Sequence, residues 1–363
     1  MKNQFPLEKD YEINLSSLLA MIRKKKPKRI GLQLPEGLKT KTIEIIKFFE
    51  KETGAEVILS IAPCYGACDL RLHEFQILGI DLVLHFGHSE MPILRKKHGN
   101  WRPDIIFVEL RAKIDKEKIR KIAEEVKKHL KKKGEKVVLT ASLQYIHVLS
   151  PLKTILEKEH HVHIYKGDSH LTFPGQVLGC NFSAAGEREK QEETVVFIGN
   201  GQFHPLGIKL ATGKDVIAVD PGSCERIELL PERYLKSRVH ALSLSLNAER
   251  FGILISTKEG QMRIHQALSL KKKLEKAGKE AFLFFENEIS PQHLRYIKVD
   301  AFVSTLCPRF AFDEAESFLR ESKKPLLTPQ DVEILIKYFQ LSDVKVVSNA
   351  LEDYRVDEIR EEN

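Results

Sequence analysis

"FGHSEMP" (residues 86–92) closes the apolar run DLVLHFG (81–87) and sets glycine, histidine and proline directly after it. The same succession ends TVVFIGN (194–200), in "IGNGQFHP" (198–205). A third run, DAFVSTL (300–306), leads into "LCPRF" (306–310) at the corresponding place. Three strand ends that resemble one another predict three related units, and the rest of the chain fits that frame.

Each unit offers four apolar, β-branched runs of strand length, alternating with amphipathic segments, the pattern of parallel α/β units. The first has RIGLQLP (29–35), EVILSIAP (56–63), DLVLHFG and DIIFVEL (104–110). The second has KVVLTAS (136–142), HVHIYKG (161–167), TVVFIGN and DVIAVD (215–220). The third has FGILIST (251–257), EAFLFFE (280–286), DAFVSTL and KPLLTP (324–329). A helix fits between the first two strands, with Thr42, Ile45, Ile46 and Phe49 on one face and Gly54 as its C-cap. Ile264, Ala267, Leu270 and Leu274 mark the equivalent helix of the last third, and helical segments near 115–133 and 231–249 join the thirds. The expected fold class is α/β: three related domains by internal triplication, 1–114, 115–225 and 226–363, each a four-stranded, mainly parallel sheet flanked by helices. A chain of 363 residues exceeds one ordinary core, which agrees with this division.

The net charge of +7 is a modest surplus of 58 basic over 51 acidic residues. The basic runs Arg23–Arg29, Arg95–His98 and Lys127–Lys136 read as solvated helix ends and faces. No aromatic-rich RNA-binding signature accompanies them, so direct nucleic-acid binding is not expected. The start, MKNQFPLEKDYEINL, lacks the apolar core of a signal peptide, and no apolar run approaches the length of a membrane span. A cytoplasmic protein is expected, with no membrane association. Five widely spread cysteines, an odd number, argue against a disulfide framework there.

Cys64 and Cys68 follow the second strand of the first third, in "PCYGACDL" (63–70). Cys180, in "VLGCN" (177–181), lies in the corresponding connection of the second third, and Cys307 ends the third strand of the last. Sites in parallel α/β folds gather beyond the carboxyl ends of strands, so one cysteine loop per domain can meet at a common centre. Cys68, Cys180 and Cys307 each adjoin glycine or proline, which lets backbone approach a bulky ligand. Cys224 reads as a small buried hydrophobe, and Cys64 as packing beneath the turn while Cys68 points outward. Zinc with His88 or His204 as a fourth ligand remains open on spacing alone; three thiolates without a fourth suit a 4Fe-4S cluster with one open iron.

Beyond these residues, "GLQLPEGLK" (31–39), "CYGACDL" (64–70), "FGHSEMPI" (86–93), "VLGCN", "GNGQFHPLG" (199–207), "DPGS" (220–223), "ISTKEGQ" (255–261) and "STLCPRFAFDE" (304–314) occur in this order along the chain. In these stretches the sequence resembles the archaeal diphthamide-synthesis radical enzymes. The resemblance implies a triplicated α/β fold with a 4Fe-4S cluster held at the central junction by Cys68, Cys180 and Cys307, Cys64 being a spectator. It implies S-adenosyl-L-methionine as co-substrate and translation elongation factor 2 as protein substrate. The 3-amino-3-carboxypropyl group passes to a histidine of that factor, by a radical route lacking the usual C-x-x-x-C-x-x-C motif. A homodimer served by a separate electron donor is also implied. Arg309, with a planar guanidinium two residues from Cys307, is the candidate for the donor's carboxylate. Gln33, Glu36 and Gly37 beyond the first strand are candidates to shape the donor pocket, and His88 and His204 to orient donor or substrate. A zinc- or thiol-dependent transferase and a non-catalytic translation-factor-binding scaffold are the alternatives.

Overall fold

The computed structural model describes residues 5–97, 103–187, 192–341 and 345–347, together with Tyr354 and Val356. Strand β1 (Tyr11–Glu12) precedes the first large sheet, formed by β2 (Arg29–Gln33), β3 (Glu56–Ser60), β4 (Leu82–Phe86) and β5 (Asp104–Val108). Strand β6 (Arg111–Ala112) then returns to pair antiparallel with β1. The second sheet contains β7 (Lys136–Ala141), β8 (His161–His163), β9 (Glu193–Ile198), β10 (Val216–Asp220) and β11 (Glu225–Ile227). The third contains β12 (Arg250–Ser256), β13 (Glu280–Glu286), β14 (Ala301–Ser304) and β15 (Leu326–Leu327).

The spatial orders are β3-β2-β4-β5, β8-β7-β9-β10-β11 and β13-β12-β14-β15. Within each sheet the four main strands are parallel and take the order second, first, third, fourth. Three sheets of one topology are compatible with internal triplication. The second sheet departs from the expected four strands: β11 adds a fifth, antiparallel to β10, and straddles the position 225/226 at which the sequence suggested a boundary. Two expected strands are shorter than their apolar runs, His161–His163 and Leu326–Leu327, because each lies at or near a sheet edge with fewer ladder partners.

Local chemistry explains the helices. Thr42–Thr53 buries Ile45, Phe48 and Phe49 against the first sheet and stops at Gly54, whose φ of 73° suits glycine and whose amide reaches the Glu50 carbonyl. The segment expected near 115–133 is helical over Lys116–His129, capped by the Asp115 side chain, and that near 231–249 over Pro231–Ser245. The basic runs are paired with acids: Arg23 with Glu52, Lys25 with Asp104, Arg29 with Glu56, Lys127 with Glu159, and Lys136 with Glu192. The Arg95–His98 run lies outside the residues whose side chains are described. No described helix is long and apolar enough to cross a membrane.

The third unit is tied together by a fully buried ion pair, Arg238 to Asp331 at 3.1 Å. Asp331 also accepts from the Thr328 amide (2.8 Å) and the Tyr354 hydroxyl (2.9 Å), and Arg238 donates to the Leu326 carbonyl (3.1 Å). Removing one partner leaves an uncompensated buried charge. Asp331→Ala should therefore cost about 3–5 kcal/mol in urea unfolding. A loss within experimental error would show that water relieves Arg238 in the variant.

Candidate functional site

In sheets of this order, the crevice opens beyond the carboxyl ends of the first and third strands, where successive connections diverge. In the first sheet those strands are β2 and β4, and Gln33 stands opposite His85 in their register. In the third sheet they are β12 and β14, followed by the segments carrying Lys258 to Gln261 and Cys307. The site is built from these ends.

Cys68 sits half-buried where the first and third units meet. Its carbonyl accepts the Gly260 amide at 3.1 Å, and its Sγ accepts Gln261 Nε2–H at 3.4 Å. A Cβ on Gly260 would lie 2.5 Å from both the Cα and Cβ of Cys68, so the approach requires glycine. Beside it, Lys258 Nζ binds Asp69 Oδ2 (3.0 Å) and Glu288 Oε2 (2.9 Å), and Arg71 holds Glu288 at 2.7 Å. This ion network clamps the Cys68 loop to the third unit.

Cys180 is buried in a tight turn closed by reciprocal backbone bonds between Leu178 and Asn181, 3.0 and 3.3 Å long. Gly179 in the same turn is pressed against the Phe203 ring, which an added Cβ would meet at 2.1 Å. Leu178 and Cys68 both pack against the cluster of Ala67, Met91 and Leu94, while Gly179 lines a small cavity with Phe203, Leu306 and Pro308. The Cys180 turn thus shares a hydrophobic cluster with the Cys68 loop on one side and borders the Cys307 loop on the other. Cys307 stands at the N-cap of the short helix Pro308–Asp313.

Burial pushes the Cys68 thiol up to about 12, and the nearby Cys307 pushes the same way, against the Gln261 hydrogen bond. Burial likewise raises Cys307, opposed by the Arg309 amide and by the charges of Arg263, Arg309 and Lys258. Asp69 also raises Cys68, while the cations Arg263, Arg309 and Lys258 act on Cys307. Two adjacent thiols with cations on one side fit a thiolate-bound, net-negative centre, in which binding displaces the protons and the cations offset charge left behind.

Cys64 faces another way. It is buried with its Sγ 3.9 Å from His85 Nε2, and that nitrogen is 2.9 Å from His88 Nδ1. His85 Nδ1 lies 3.3 Å from Gln33 Oε1, and Gln33 Nε2 donates to the Asp69 carbonyl at 2.6 Å. Burial holds both imidazoles neutral, His88 falling to about 4. Cys224 occupies a left-handed turn (φ 61°) against the second core, with its Sγ 3.9 Å from the Lys118 and Pro221 carbonyls.

Arg309 gathers groups from all three units. Its guanidinium lies 4.2 Å over the Tyr65 ring, it pairs with Asp313 at 2.9 Å, and its charge acts on Cys307 and His204. His204 stacks on Phe197 and meets Phe203 edge-on; burial, then Arg309, lowers it to about 4. Gln33 is buried and engaged with His85 and Asp69. Glu36 and Gly37 lie on the exposed turn beyond β2, where Glu36 pairs with Lys39, which in turn holds the Ile61 and Ala62 carbonyls. Sequence reasoning passed over Tyr65, Asp69, His85, Lys258 and Gln261. For the last two a signal existed: "KEGQ" follows β12 as "PEG" follows β2.

Three mainly parallel sheets, with thiol-bearing loops beyond their strands and cations beside Cys307, define an α/β protein with a candidate metal or cluster centre. The family model described as "Putative diphthamide synthesis protein" matches residues 34–345, and the chain belongs to the diphthamide synthesis family. It is 36% identical over 330 residues to the 2-(3-amino-3-carboxypropyl)histidine synthase of Pyrococcus horikoshii, covering 90% of this chain and 91% of that protein. It is 29% identical to the protein of the same name from Methanocaldococcus jannaschii, over 94% of this chain and 90% of that one. A crystal structure of Dph2 from Pyrococcus horikoshii with a 4Fe-4S cluster superposes with a TM-score of 0.79 at 34% identity, covering 97% of this chain and 96% of that one.

Gly260→Ala should force the Cys68 and Gly260 loops apart. Overpacking of this kind costs about 1–3 kcal/mol. A lower melting temperature with unchanged secondary structure is expected; an unaltered melting curve would mean that the loops separate freely.

Proposed function

We propose that the protein transfers the 3-amino-3-carboxypropyl group of S-adenosyl-L-methionine to a histidine of translation elongation factor 2, the first step of diphthamide formation. The observation that carries this reading is the gathering of the Cys68, Cys180 and Cys307 loops at one cation-lined junction, in a chain whose structural relative holds a 4Fe-4S cluster. Cys68, Cys180 and Cys307 would hold the cluster, leaving one iron without a protein ligand. When bound, the cluster supplies the low-potential electron that opens the sulfonium of the donor.

The chain's own residues do the rest. Gln261 donates to the Cys68 sulfur and orients it. Arg309, held over Tyr65 and against Asp313, presents the rest of its guanidinium fork to the donor's carboxylate. His204 is uncharged near neutral pH, so it accepts or donates a hydrogen bond without repelling the sulfonium. Phe197 and Phe203 restrict water around His204. Gln33 fixes His85 and thereby His88, while Glu36 and Gly37 border the open side of the pocket. The protein works as a homodimer in the cytoplasm, with a separate electron donor.

Cys68→Ala, Cys180→Ala and Cys307→Ala should each lose most bound iron and sulfide after anaerobic reconstitution. Cys64→Ala and Cys224→Ala should keep it. Normal iron in Cys68→Ala with loss in Cys64→Ala would exchange the roles of that pair. The nucleoside product decides the reaction: methylthioadenosine is expected from reduced, cluster-loaded enzyme and elongation factor 2. 5′-Deoxyadenosine would indicate the common radical cleavage, and S-adenosylhomocysteine a methyl transfer; either would overturn the proposal.

Arg309→Lys keeps the charge and loses the fork. Donor affinity should fall by about 1–3 kcal/mol, the scale of a charge-assisted hydrogen bond, with iron content unchanged. Unchanged donor binding by calorimetry would give Arg309 a purely structural role.

A further inference from the structure

We infer that Cys64, His85 and His88 form a second metal site, separate from the three-cysteine junction, which takes a single zinc-like divalent cation. Their ligand atoms, Cys64 Sγ, His85 Nε2 and His88 Nδ1, all lie within 4.8 Å of one another. One thiolate and two imidazoles are a zinc-type donor set, and a three-ligand site leaves a fourth position for water or another ligand.

The spacing suits the ion. With bonds of about 2.3 Å to sulfur and about 2.0 Å to nitrogen, tetrahedral ligands stand about 3.3–3.6 Å apart. The observed separations, 3.9 Å from sulfur to His85 and 2.9 Å between the two imidazoles, lie on either side of that range. The third pair, Cys64 Sγ and His88 Nδ1, lies within 4.8 Å, so the ligands have to draw together around the ion.

The tautomer is also prepared. Gln33 spends its amide N–H on the Asp69 carbonyl at 2.6 Å, so its Oε1 is the atom left to accept from His85 Nδ1. The His85 proton therefore sits on Nδ1, and its Nε2 accepts the His88 Nδ1–H at 2.9 Å, a proton that the metal displaces on binding. An outer hydrogen bond that fixes ring and tautomer is the usual companion of a metal-bound histidine. Charge is balanced nearby: the field of Asp69 reaches Cys64, and Asp69 Oδ1 is buried with no hydrogen-bond partner in the structure. Gln33 and His85 end paired strands in register, so the scaffold of the site is sheet rather than loop.

None of the three ligands belongs to the Cys68, Cys180 and Cys307 set, so zinc is read out separately from iron, although Gln33, His85 and His88 also serve the proposed function. The test uses full-length, cluster-loaded protein and zinc chloride as probe, with metal content by mass spectrometry and affinity by chelator competition. One zinc per chain is expected, with a zinc-edge absorption spectrum fitted by a single sulfur. Cys64→Ser should weaken binding at least 100-fold, and Gln33→Leu by about 10–100-fold as an outer-shell loss. Iron content should not change in either. His88→Gln, at a half-buried position, gives a second reading should Cys64→Ser fold poorly, and it should also lose zinc. Undiminished zinc affinity in Cys64→Ser or His88→Gln, a spectrum with several sulfurs, or no zinc bound at equimolar metal would overturn the site. Loss of iron from the unmodified protein would instead count against the cluster reading alone.

Discussion

The approach of Gly260 to Cys68 is the contact on which the rest of the site depends. Its amide reaches the Cys68 carbonyl at 3.1 Å, and no side chain fits between the two backbones. That approach brings Gln261 within reach of the Cys68 sulfur and Lys258 within reach of Asp69. A hydrogen bond to a buried sulfur is effective only when its donor is held in place. Here the donor's loop is fixed by backbone bonding and by a buried lysine carrying two carboxylate partners. The first and third units are therefore joined at the cysteine itself.

Most of the strand framework could be read from the sequence, because parallel strands buried on both faces appear as short apolar runs between turn signals. The run that ends at Phe86 and the run that ends at Ile198 are both strands; of the glycine–histidine–proline loops after them, Met91 packs with Ala67 and Phe203 lines a cavity with Gly179 and Pro308. What could not be read was anything decided by pairing across units. Lys258 is one lysine among many in a basic chain; only the fold sets it against Asp69, 189 positions away. β11 escaped notice for a related reason. Glu225–Ile227 carries little apolar signal, since an edge strand paired on one side needs none.

The cysteine pair shows where local pattern stops being informative. Cys64 and Cys68 are four residues apart, which alone suits one shared ligand or two unrelated roles equally well. The turn around Gly66 separates them: Asp69 bonds back to the Gly66 carbonyl, Cys64 is carried inward to His85, and Cys68 is carried outward to Gly260 and Gln261. His85 was invisible as a site residue because it lies within an apolar strand, where an imidazole reads as core. Its partner across the ladder, Gln33, is what makes it polar and directional.

The electrostatics of the two cysteine environments differ in a way that bears on function. Around Cys307 the charges are cationic, from Arg263, Arg309 and Lys258, and all favour thiolate. Around Cys64 burial, then the Asp69 carboxylate, pushes the thiol up to about 12, opposed by the Gly66 amide and the Lys258 charge. A centre bearing several thiolates and sulfides is net negative and is stabilised where cations converge. A lone dication with one thiolate is net positive and is stabilised beside an uncompensated carboxylate oxygen. Asp69 lies beside both environments: its Oδ2 pairs with Lys258, its Oδ1 has no hydrogen-bond partner among the described residues, and its charge reaches both Cys64 and Cys68. Asp69 raises both thiols, Cys64 and Cys68, so the proposed zinc site and the proposed cluster site share one acid, and the four-residue spacing is what sets that acid beside both.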